Sequence, residues 1–296
     1  MSAVADRLTG RAARAVATDG RRVAWAARRT DGTDRVGAHT RIASAILAAL
    51  IVFVVWWILA ASGTWSEIIL PTPAKVWHAF IQSVTVHDGQ RGLSGYYLWQ
   101  HLWASLWRIL RGVAWAFVLG VPLGLALGLW RPFELVVEPM VGFLRSLPPL
   151  GYFSLLIIWF GIDDTSKVWL LYLAALPPIA LSVAAGVASV RIERINGALV
   201  LGANRTQLLR YTVLPSVLPD LFTGLRVAVG FAWTTIVAAE TSNGIPGIGG
   251  LAWATKKELR SDVAILCVIV IGITAVVLDS ILRFAERRLV PWKGRA

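Results

Sequence analysis

The chain contains 296 residues, of which 56% are hydrophobic and 16% are charged, and its formal net charge is +12. Soluble domains have about a quarter charged residues, so this composition excludes an ordinary soluble protein and favours an integral membrane protein. The basic residues lie beside apolar segments, which indicates an anionic membrane surface rather than nucleic acid as their partner.

Residues 1–41 are polar and rich in arginine, and we expect them to form a basic cytoplasmic tail. Residues 42–61 carry no charge, and at about 1.5 Å per residue they would extend about 30 Å, enough to cross a bilayer. A cleaved signal peptide is the alternative, but this apolar stretch and the polar segment before it are both too long for one. We therefore predict the first transmembrane span at residues 42–61.

The next apolar segment follows a polar region, residues 62–100, in which a proline-initiated sequence predicts one short surface helix. We place the second span at residues 112–130. Its glycines Gly120, Gly124 and Gly128 recur every four residues. Such a stripe of small residues lets two membrane helices pack closely, and we expect it to serve helix packing.

Two interruptions mark the rest of the chain. Pro139 and the pair Pro148-Pro149 break residues 135–161, which we interpret as one broken third span. The glycine-rich sequence NGIPGIGG, within residues 241–262, predicts a flexible connection rather than a helix. The remaining spans are predicted at residues 168–190, 217–240 and 263–282.

The distribution of basic residues predicts the orientation of these six spans. Of the 29 lysines and arginines, nineteen lie on the side that holds both termini and the loop 191–215, whereas six lie on the opposite side. Because cytoplasmic segments carry the excess of basic residues, both termini and this loop are predicted to be cytoplasmic.

The sequence lacks the patterns expected of an enzyme. None of its lysines follows a glycine, so the chain has no Gly-Lys-Ser/Thr phosphate-binding loop, and any ATPase must be a separate subunit. The histidines are dispersed without metal-ligand spacing, and we expect them at surfaces or interfaces: His39, His78, His87 and His101. We therefore predict neither catalytic residues nor a metal site in this chain.

The longest polar segment of the interior is residues 196–215, with the sequence NGALVLGANRTQLLRYTVLP. Arg205 and Arg210 keep it at the aqueous face, and its small residues leave a helix surface that another protein can approach closely. The small residues are Gly197, Ala198, Gly202 and Ala203. An ordinary basic loop between two membrane helices is the alternative interpretation.

This segment resembles the cytoplasmic loop of bacterial ABC-importer permeases. That loop has the pattern Glu-Ala-Ala, three residues, Gly, nine residues, Ile, one residue, Leu-Pro. The positions that match are Ala198, Gly202, Leu214 and Pro215. Asn196 replaces the glutamate, Gly197 the first alanine and Thr212 the isoleucine. The segments on both sides, from SLPPLGYFSLLIIWFGI to the final ERRLVPW, resemble the nitrate/sulfonate/taurine branch of these permeases across residues 42–292.

The resemblance implies an all-α integral membrane protein with six transmembrane helices and the type I ABC-importer permease fold. The basic tail 1–41 would precede a permease domain at residues 42–290, with the coupling loop 191–215, and a C-terminal tail at residues 291–296. The protein would lie in the bacterial plasma (inner) membrane and import a small anion by alternating access, a sulfonate or taurine first, and nitrate or bicarbonate next. A secondary transporter of small anions with broken helices is the alternative.

The resemblance also implies the partners of the chain. A second permease copy would complete a homodimer, two cytoplasmic ATP-binding subunits would supply energy, and a periplasmic or lipid-anchored substrate-binding protein would deliver the substrate. ATP and magnesium would belong to the ATP-binding subunits, so we expect no cofactor in this chain. Membrane lipids would surround it, and we expect no nucleic acid partner.

Three groups of site residues follow. The coupling helix that contacts the ATPase subunit is predicted at Asn196, Gly197, Ala198, Leu201, Gly202, Ala203 and Arg205. A translocation pathway is predicted at Arg145, Pro148, Trp159, Arg226, Trp233 and Glu240. An outer gate is predicted at Gly244, Gly247 and Gly249, because glycine adopts backbone shapes closed to other residues. For the pathway, the alternatives are that the two arginines reach the membrane interface and that the aromatic residues serve ordinary packing. For the gate, the alternative is a plain glycine loop.

Overall fold

The computed structural model describes residues 38–87 and 89–292, and most of the predicted N-terminal tail and the last four residues lie outside them. The described chain is helical apart from a short hairpin that pairs β1 (Val86–His87) with β2 (Gln90–Arg91). Its helices are α1 (Ala38–Ala61), α2 (Pro73–Val84), α3 (Leu98–Leu129), α4 (Arg131–Ser146), α5 (Pro149–Phe160), α6 (Asp164–Ala188), α7 (Ile192–Val200), α8 (Arg205–Leu208), α9 (Leu214–Asn243), α10 (Ile248–Glu258) and α11 (Ser261–Leu289). One π-helical turn, Leu209–Val213, joins α8 to α9.

The chain divides after Gly63 into two compact units, so α1 is described by itself. Within α1, the segment Ala43–Ala61 has a mean hydropathy of 2.6. Apolar side chains surround this helix on all sides, which is typical of a membrane span. The first predicted span is therefore confirmed as a continuous apolar helix.

Five helical segments of the described chain are long and apolar enough to cross a membrane. They are Ala43–Ala61, Leu98–Leu129, Asp164–Ala188, Arg205–Asn243 and Ser261–Leu289. The pair α4 and α5 passes the same test together but is bent by 96° at the break. Counting this pair as one span gives the six spans that the sequence predicts.

The break between α4 and α5 follows from two consecutive prolines. Leu147 (φ −75°, ψ 129°) and Pro148 (φ −60°, ψ 125°) both have extended backbones. A proline disfavours the helical conformation of the residue before it, so two prolines in sequence place two extended residues here. Pro149 then begins α5, where its missing N–H leaves no hydrogen bond unmade.

The glycine stripe of α3 packs against α6, which confirms the predicted role of these residues. A Cβ atom on Gly124 would lie 2.4 Å from the carbonyl oxygen of Ala180, and one on Gly128 would lie 2.5 Å from Cβ of Val187. On the other side of α6, a Cβ on Gly224 of α9 would lie 2.5 Å from Cβ of Ser182. Helices α3, α6 and α9 thus form the core, with α6 in the middle.

Replacing Gly124 with alanine should destabilise the fold, because the new methyl group overlaps a backbone oxygen and α3 must move away from α6. Overpacking of this kind costs about 1–3 kcal/mol. Gly142→Ala on α4 is the matched control, since a Cβ there meets no atom of the described chain within 4 Å. Thermal unfolding of the purified chains in detergent should show a lower Tm for Gly124→Ala only, and equal Tm values for the two variants would contradict this packing.

Two features differ from the sequence prediction. The helix that carries the second span begins at Leu98, before the uncharged stretch that starts at residue 112, because polar side chains of its first turns, among them His101 and Arg108, are buried against other elements. Residues 241–262 are not a flexible connection, since they contain α10. Gly247 has an extended backbone (φ 172°) and is buried, so glycine provides space here rather than flexibility.

Candidate functional site

The predicted coupling loop, residues 191–215, folds as a helix, a tight turn and a second helix. At the end of α7, the N–H of Gly202 donates to the carbonyl oxygen of Leu199 (2.9 Å) and the N–H of Ala203 to that of Ala198 (3.0 Å). This pair of bonds forms a Schellman motif, which requires a left-handed residue after the helix. Gly202 supplies it with φ +82°, a conformation that glycine adopts without steric cost.

This geometry gives Gly202 a role that the sequence interpretation did not assign. We had singled out Gly202 as a point of close contact with a partner, and a Cβ there would meet no atom of the described chain within 4 Å. Because its φ is positive, Gly202 is also needed for the backbone turn itself. Gly197, by contrast, lies inside α7 and also faces open space.

The turn exposes large apolar side chains beside charged ones. Val200 and Leu201 are 87% and 88% exposed, and Leu199 is also exposed. None of the residues of α7 is buried. Such an apolar patch, next to the exposed basic side chains of Arg194 and Arg205, is typical of a surface that binds another protein.

Asn204 and Gln207 fix the direction of the second helix, and the sequence interpretation missed both. The Oδ1 of Asn204 accepts from the N–H of Gln207 (2.8 Å), and the Oε1 of Gln207 accepts from the N–H of Asn204 (2.9 Å). This is a capping box, which holds the first turn of a helix. The spacing Asn-x-x-Gln in the sequence is the signal that could have identified it.

A groove of about 400 Å³ lies beside α7. Gly197 and Ala198 form one wall, and Tyr211, Pro215 and Trp292 lie on the other. Trp292 donates from Nε1 to the carbonyl oxygen of Pro215 (3.1 Å), so the end of the described chain closes this groove. All seven predicted coupling residues thus lie within residues 192–205, none of which is buried and which we call the coupling surface.

The six predicted pathway residues have different surroundings. Arg145 lies with Phe231 at a small pocket beside the α4–α5 break, and Pro148 forms that break. Trp159 is exposed on α5. Trp233 is buried and donates from Nε1 to the carbonyl oxygen of Ile271 (3.2 Å).

Arg226 is not a free cation of the membrane interior. Its Nε lies 2.8 Å from Oδ1 of Asp279, and its Nη1 lies 4.0 Å from Oε2 of Glu286. Both acids belong to α11, 53 or more residues away in sequence. Two carboxylates of the neighbouring helix α11 therefore lie beside the guanidinium group of Arg226.

Glu240 is buried, and its carboxylate belongs to a cluster of polar side chains that joins α3, α6 and α9. Its carboxylate accepts from Nη1 of Arg108 (2.7 Å), and the Oγ of Ser105 lies 2.8 and 2.9 Å from its two oxygens. The Nε of Arg108 donates to Oδ1 of Asp164 (2.7 Å). We call these four residues, Ser105, Arg108, Asp164 and Glu240, the Arg108–Glu240 cluster.

The cluster also holds the glycine-rich segment. The N–H of Gly249 donates to Oε2 of Glu240 (2.9 Å), and Nη1 of Arg108 donates to the carbonyl oxygen of Pro246 (2.9 Å). A Cβ on Gly249 would lie 2.3 Å from the carbonyl oxygen of Val237. The segment is thus pinned against α9, and its glycines allow backbone to approach backbone.

Gly244 and Gly247, which are predicted to belong to an outer gate, are packed in the same way. A Cβ on Gly244 would lie 2.3 Å from the carbonyl oxygen of Glu240, and one on Gly247 would lie 2.2 Å from that of Gly244. Both backbones lie outside the left-handed region, at φ −122° and 172°. The prediction that these two positions need glycine for an unusual backbone conformation is therefore wrong. They need glycine because neighbouring backbone atoms pack too closely for a side chain.

His101 lies in the interior of the chain, whereas the sequence predicts the histidines at surfaces or interfaces. It is completely buried, and its Nε2 donates to the carbonyl oxygen of Leu93 (3.1 Å). Its Nδ1 is then free to accept the N–H of Gly247 (3.1 Å). Burial is tolerated because both ring nitrogens have backbone partners. Among the described residues, no group of His, Cys, Asp and Glu side chains could hold a metal ion.

Comparison with known proteins gives consistent matches. Residues 120–292 match the family described as binding-protein-dependent transport system inner membrane component. The chain is 39% identical to the taurine transport system permease protein TauC of Escherichia coli K12, over 82% of this chain and 87% of that protein. It is 33% identical to the bicarbonate transport system permease protein CmpB of Synechococcus elongatus, over 66% of this chain and 70% of that protein.

A solved structure shows the same fold. A chain of the MetNI methionine ABC transporter, in an inward facing conformation, superposes with a TM-score of 0.53 at 21% sequence identity. The match covers 66% of this chain and 96% of that one. The fold is that of a type I importer permease.

Proposed function

Because this chain belongs to the family of inner membrane components of binding-protein-dependent transport systems, we propose that it is the permease subunit of an ATP-driven importer of a small anion. The chain is a transport subunit and not the ATPase, which is a separate subunit. The observation that carries the proposal is the coupling surface. At the end of α7, before the turn at Gly202, the apolar side chains of Val200 and Leu201 are exposed and available to a partner protein in the cytoplasm.

The proposed mechanism is alternating access by a homodimer of this chain. Two cytoplasmic ATP-binding subunits, which hold ATP and magnesium, dock on the coupling surface. Their closure moves α7, and the movement passes through α8 and the π-helical turn into α9. A periplasmic or lipid-anchored binding protein delivers the substrate at the opposite face, and the basic asymmetry of the chain supports this orientation, with both termini in the cytoplasm.

The segment at the far end of α9 is the proposed outer gate. Three glycines of this segment pack closely against Glu240 and Val237 of α9: Gly244, Gly247 and Gly249. Arg108 connects this segment to α3 and, through Asp164, to α6. We propose that the segment moves as a unit with these helices when the outer mouth opens.

For the substrate we propose taurine or a related alkanesulfonate. The support is the similarity to TauC, which is named for taurine transport, at 39% identity. The similarity to CmpB, named for bicarbonate, supports a bicarbonate importer as the second candidate. The binding protein selects the ligand in such systems, so the test must be made in the cell.

A strain from which this chain is deleted should fail to grow on taurine or an alkanesulfonate as the sole sulfur source, and should grow normally on sulfate. Nitrate use should be unaffected. Plasmid-borne wild-type chain is the control and should restore growth. Normal growth of the deletion strain on every sulfonate, with failure on bicarbonate, nitrate or a neutral nutrient, would overturn the substrate assignment and leave the importer standing.

A further inference from the structure

We propose that the groove between α3 and α6 binds one anionic phospholipid, with the phosphate at Arg111 and an acyl chain along the aromatic wall. The groove has a volume of about 380 Å³. Arg111 and Thr165 are its polar lining, and its apolar walls include Trp115, Leu119, Trp169 and Tyr172. This site is separate from the coupling surface and from the Arg108–Glu240 cluster, which it adjoins.

The position of the groove along the membrane normal matches a phospholipid, whose charged headgroup lies above its apolar acyl chains. Residues 112–129 of α3 carry no charge and extend about 27 Å, close to the thickness of the hydrocarbon layer. Arg111 precedes this stretch directly and therefore lies at the level of the headgroups. In α6 the charged residues end at Lys167, and residues 168–190 are uncharged.

The two helices run in the same direction. Gly112 of α3 faces Leu171 of α6, and Gly128 faces Val187. The charged ends of α3 and α6 therefore lie at the same side of the membrane. The polar end of the groove is then at headgroup depth, and its aromatic walls extend into the hydrocarbon layer.

Arg111 is the incompletely paired arginine of a charged group at the end of the groove. One carboxylate, that of Asp164, is shared by Nε of Arg108 (2.7 Å), Nη2 of Arg111 (3.3 Å) and Nζ of Lys167 (3.8 Å). Glu240 pairs with Arg108, and the neighbouring carboxylate of Asp163 also acts on Lys167, so three cations face three carboxylates. The least closely paired arginine is Arg111, whose side chain is 38% exposed and whose Nε has no hydrogen-bond partner among the described residues.

A phosphate suits Arg111 better than another ligand of the same charge. The guanidinium group presents several donors in one plane, which match the oxygens of a phosphate. It lies 5.9 Å from the ring of Trp107, a cation–π contact that keeps it at the groove. The apolar walls select an amphiphile over a free inorganic anion, because an acyl chain would cover Trp115 and Trp169, which are 59% and 42% exposed, and an inorganic anion would not.

The test uses native mass spectrometry of the full-length chain in detergent, titrated with phosphatidylglycerol and with phosphatidylcholine of the same acyl chains. The wild type should retain phosphatidylglycerol about fivefold better, the ratio that one basic residue near a membrane surface contributes. Arg111→Gln should abolish this preference. The variant should still fold, because Asp164 keeps Arg108 and Lys167 as partners.

Two further variants make the result specific. Trp115→Ala should weaken retention of both lipids and leave their ratio unchanged, because it removes only the wall of the groove. Arg131→Gln changes an exposed arginine at the other end of the span, paired with Glu134, and should leave lipid retention unchanged.

Three outcomes would overturn the proposal. The first is an unchanged lipid preference in Arg111→Gln. The second is displacement of phosphatidylglycerol by millimolar inorganic phosphate, which would assign the groove to a free anion. The third is loss of dimeric chain, rather than of lipid, in the spectra of Arg111→Gln and Trp115→Ala, which would make a second copy of the chain the occupant.

Discussion

Replacing Gly197 with phenylalanine should lower substrate-stimulated ATP hydrolysis by about tenfold or more while the chain still inserts and dimerises. The reason is that a Cβ on Gly197, inside α7, would meet no atom of the described chain within 4 Å, so the new ring would fill the surface and groove that we assign to a docked partner. Forcing extra volume into a close contact costs about 1–3 kcal/mol. The measurement is ATP hydrolysis by the reconstituted transporter, with binding protein and taurine present.

Variants of Gly202 separate this effect from the backbone turn. Asparagine tolerates a left-handed conformation better than other residues, so Gly202→Asn should retain most activity. Gly202→Val should lose activity through the turn itself, and Gly202→Asp should lose it through a charge at the contact. Even Gly202→Ala carries a cost of about 1–2 kcal/mol, because its φ is +82°. Hydrolysis at the wild-type rate in Gly197→Phe would exclude the coupling surface as the docking site.

Replacing Arg108 with methionine should destabilise the protein by about 3–5 kcal/mol, because it leaves the buried carboxylate of Glu240 without its cation. Asp164 keeps Arg111 and Lys167 as partners, so the loss falls mainly on Glu240. For a chain of this size, about 1 kcal/mol lowers Tm by about 2–4 °C. Thermal unfolding in detergent should therefore show a decrease of about 6–20 °C.

The double variant Arg108→Met with Glu240→Met is the decisive comparison. Replacing both members of a buried ion pair with apolar residues is often neutral, so this variant should recover much of the lost stability. Arg131→Met removes an exposed pair with Glu134 and should cost about 0.5 kcal/mol or less. A single Arg108→Met variant as stable as Arg131→Met would mean that the cluster does not hold the fold together.

Features that depend on neighbouring residues in the sequence were predictable. The broken third span follows from Pro148-Pro149, and the packing role of the α3 glycines follows from their regular spacing. The predicted spans match apolar helices because composition alone determines which segments suit a bilayer. The assignment to a family of permeases also came from local motifs, above all that around Gly202.

Features that depend on distant residues were not predictable. Arg108 and Glu240 are 132 residues apart, and nothing near either position in the sequence indicates that they meet. The same is true of His101 and Gly247, which are 146 residues apart. The glycines of the segment after α9 pack closely against such distant partners. Their local sequence therefore predicts a flexible connection where the structure has a close-packed segment.

The helical stretch Arg205–Asn243, which is continuous through its π-helical turn, gives the chain a mechanical property. It is about 58 Å long, and the coupling turn lies at one end and the pinned glycine segment at the other. A rod of this length that tilts by about 5° about its middle moves each end by about 2.5 Å, in opposite directions. The stretch can therefore work as a lever. A displacement of its end at one face of the membrane moves its other end, at the opposite face, in the opposite direction.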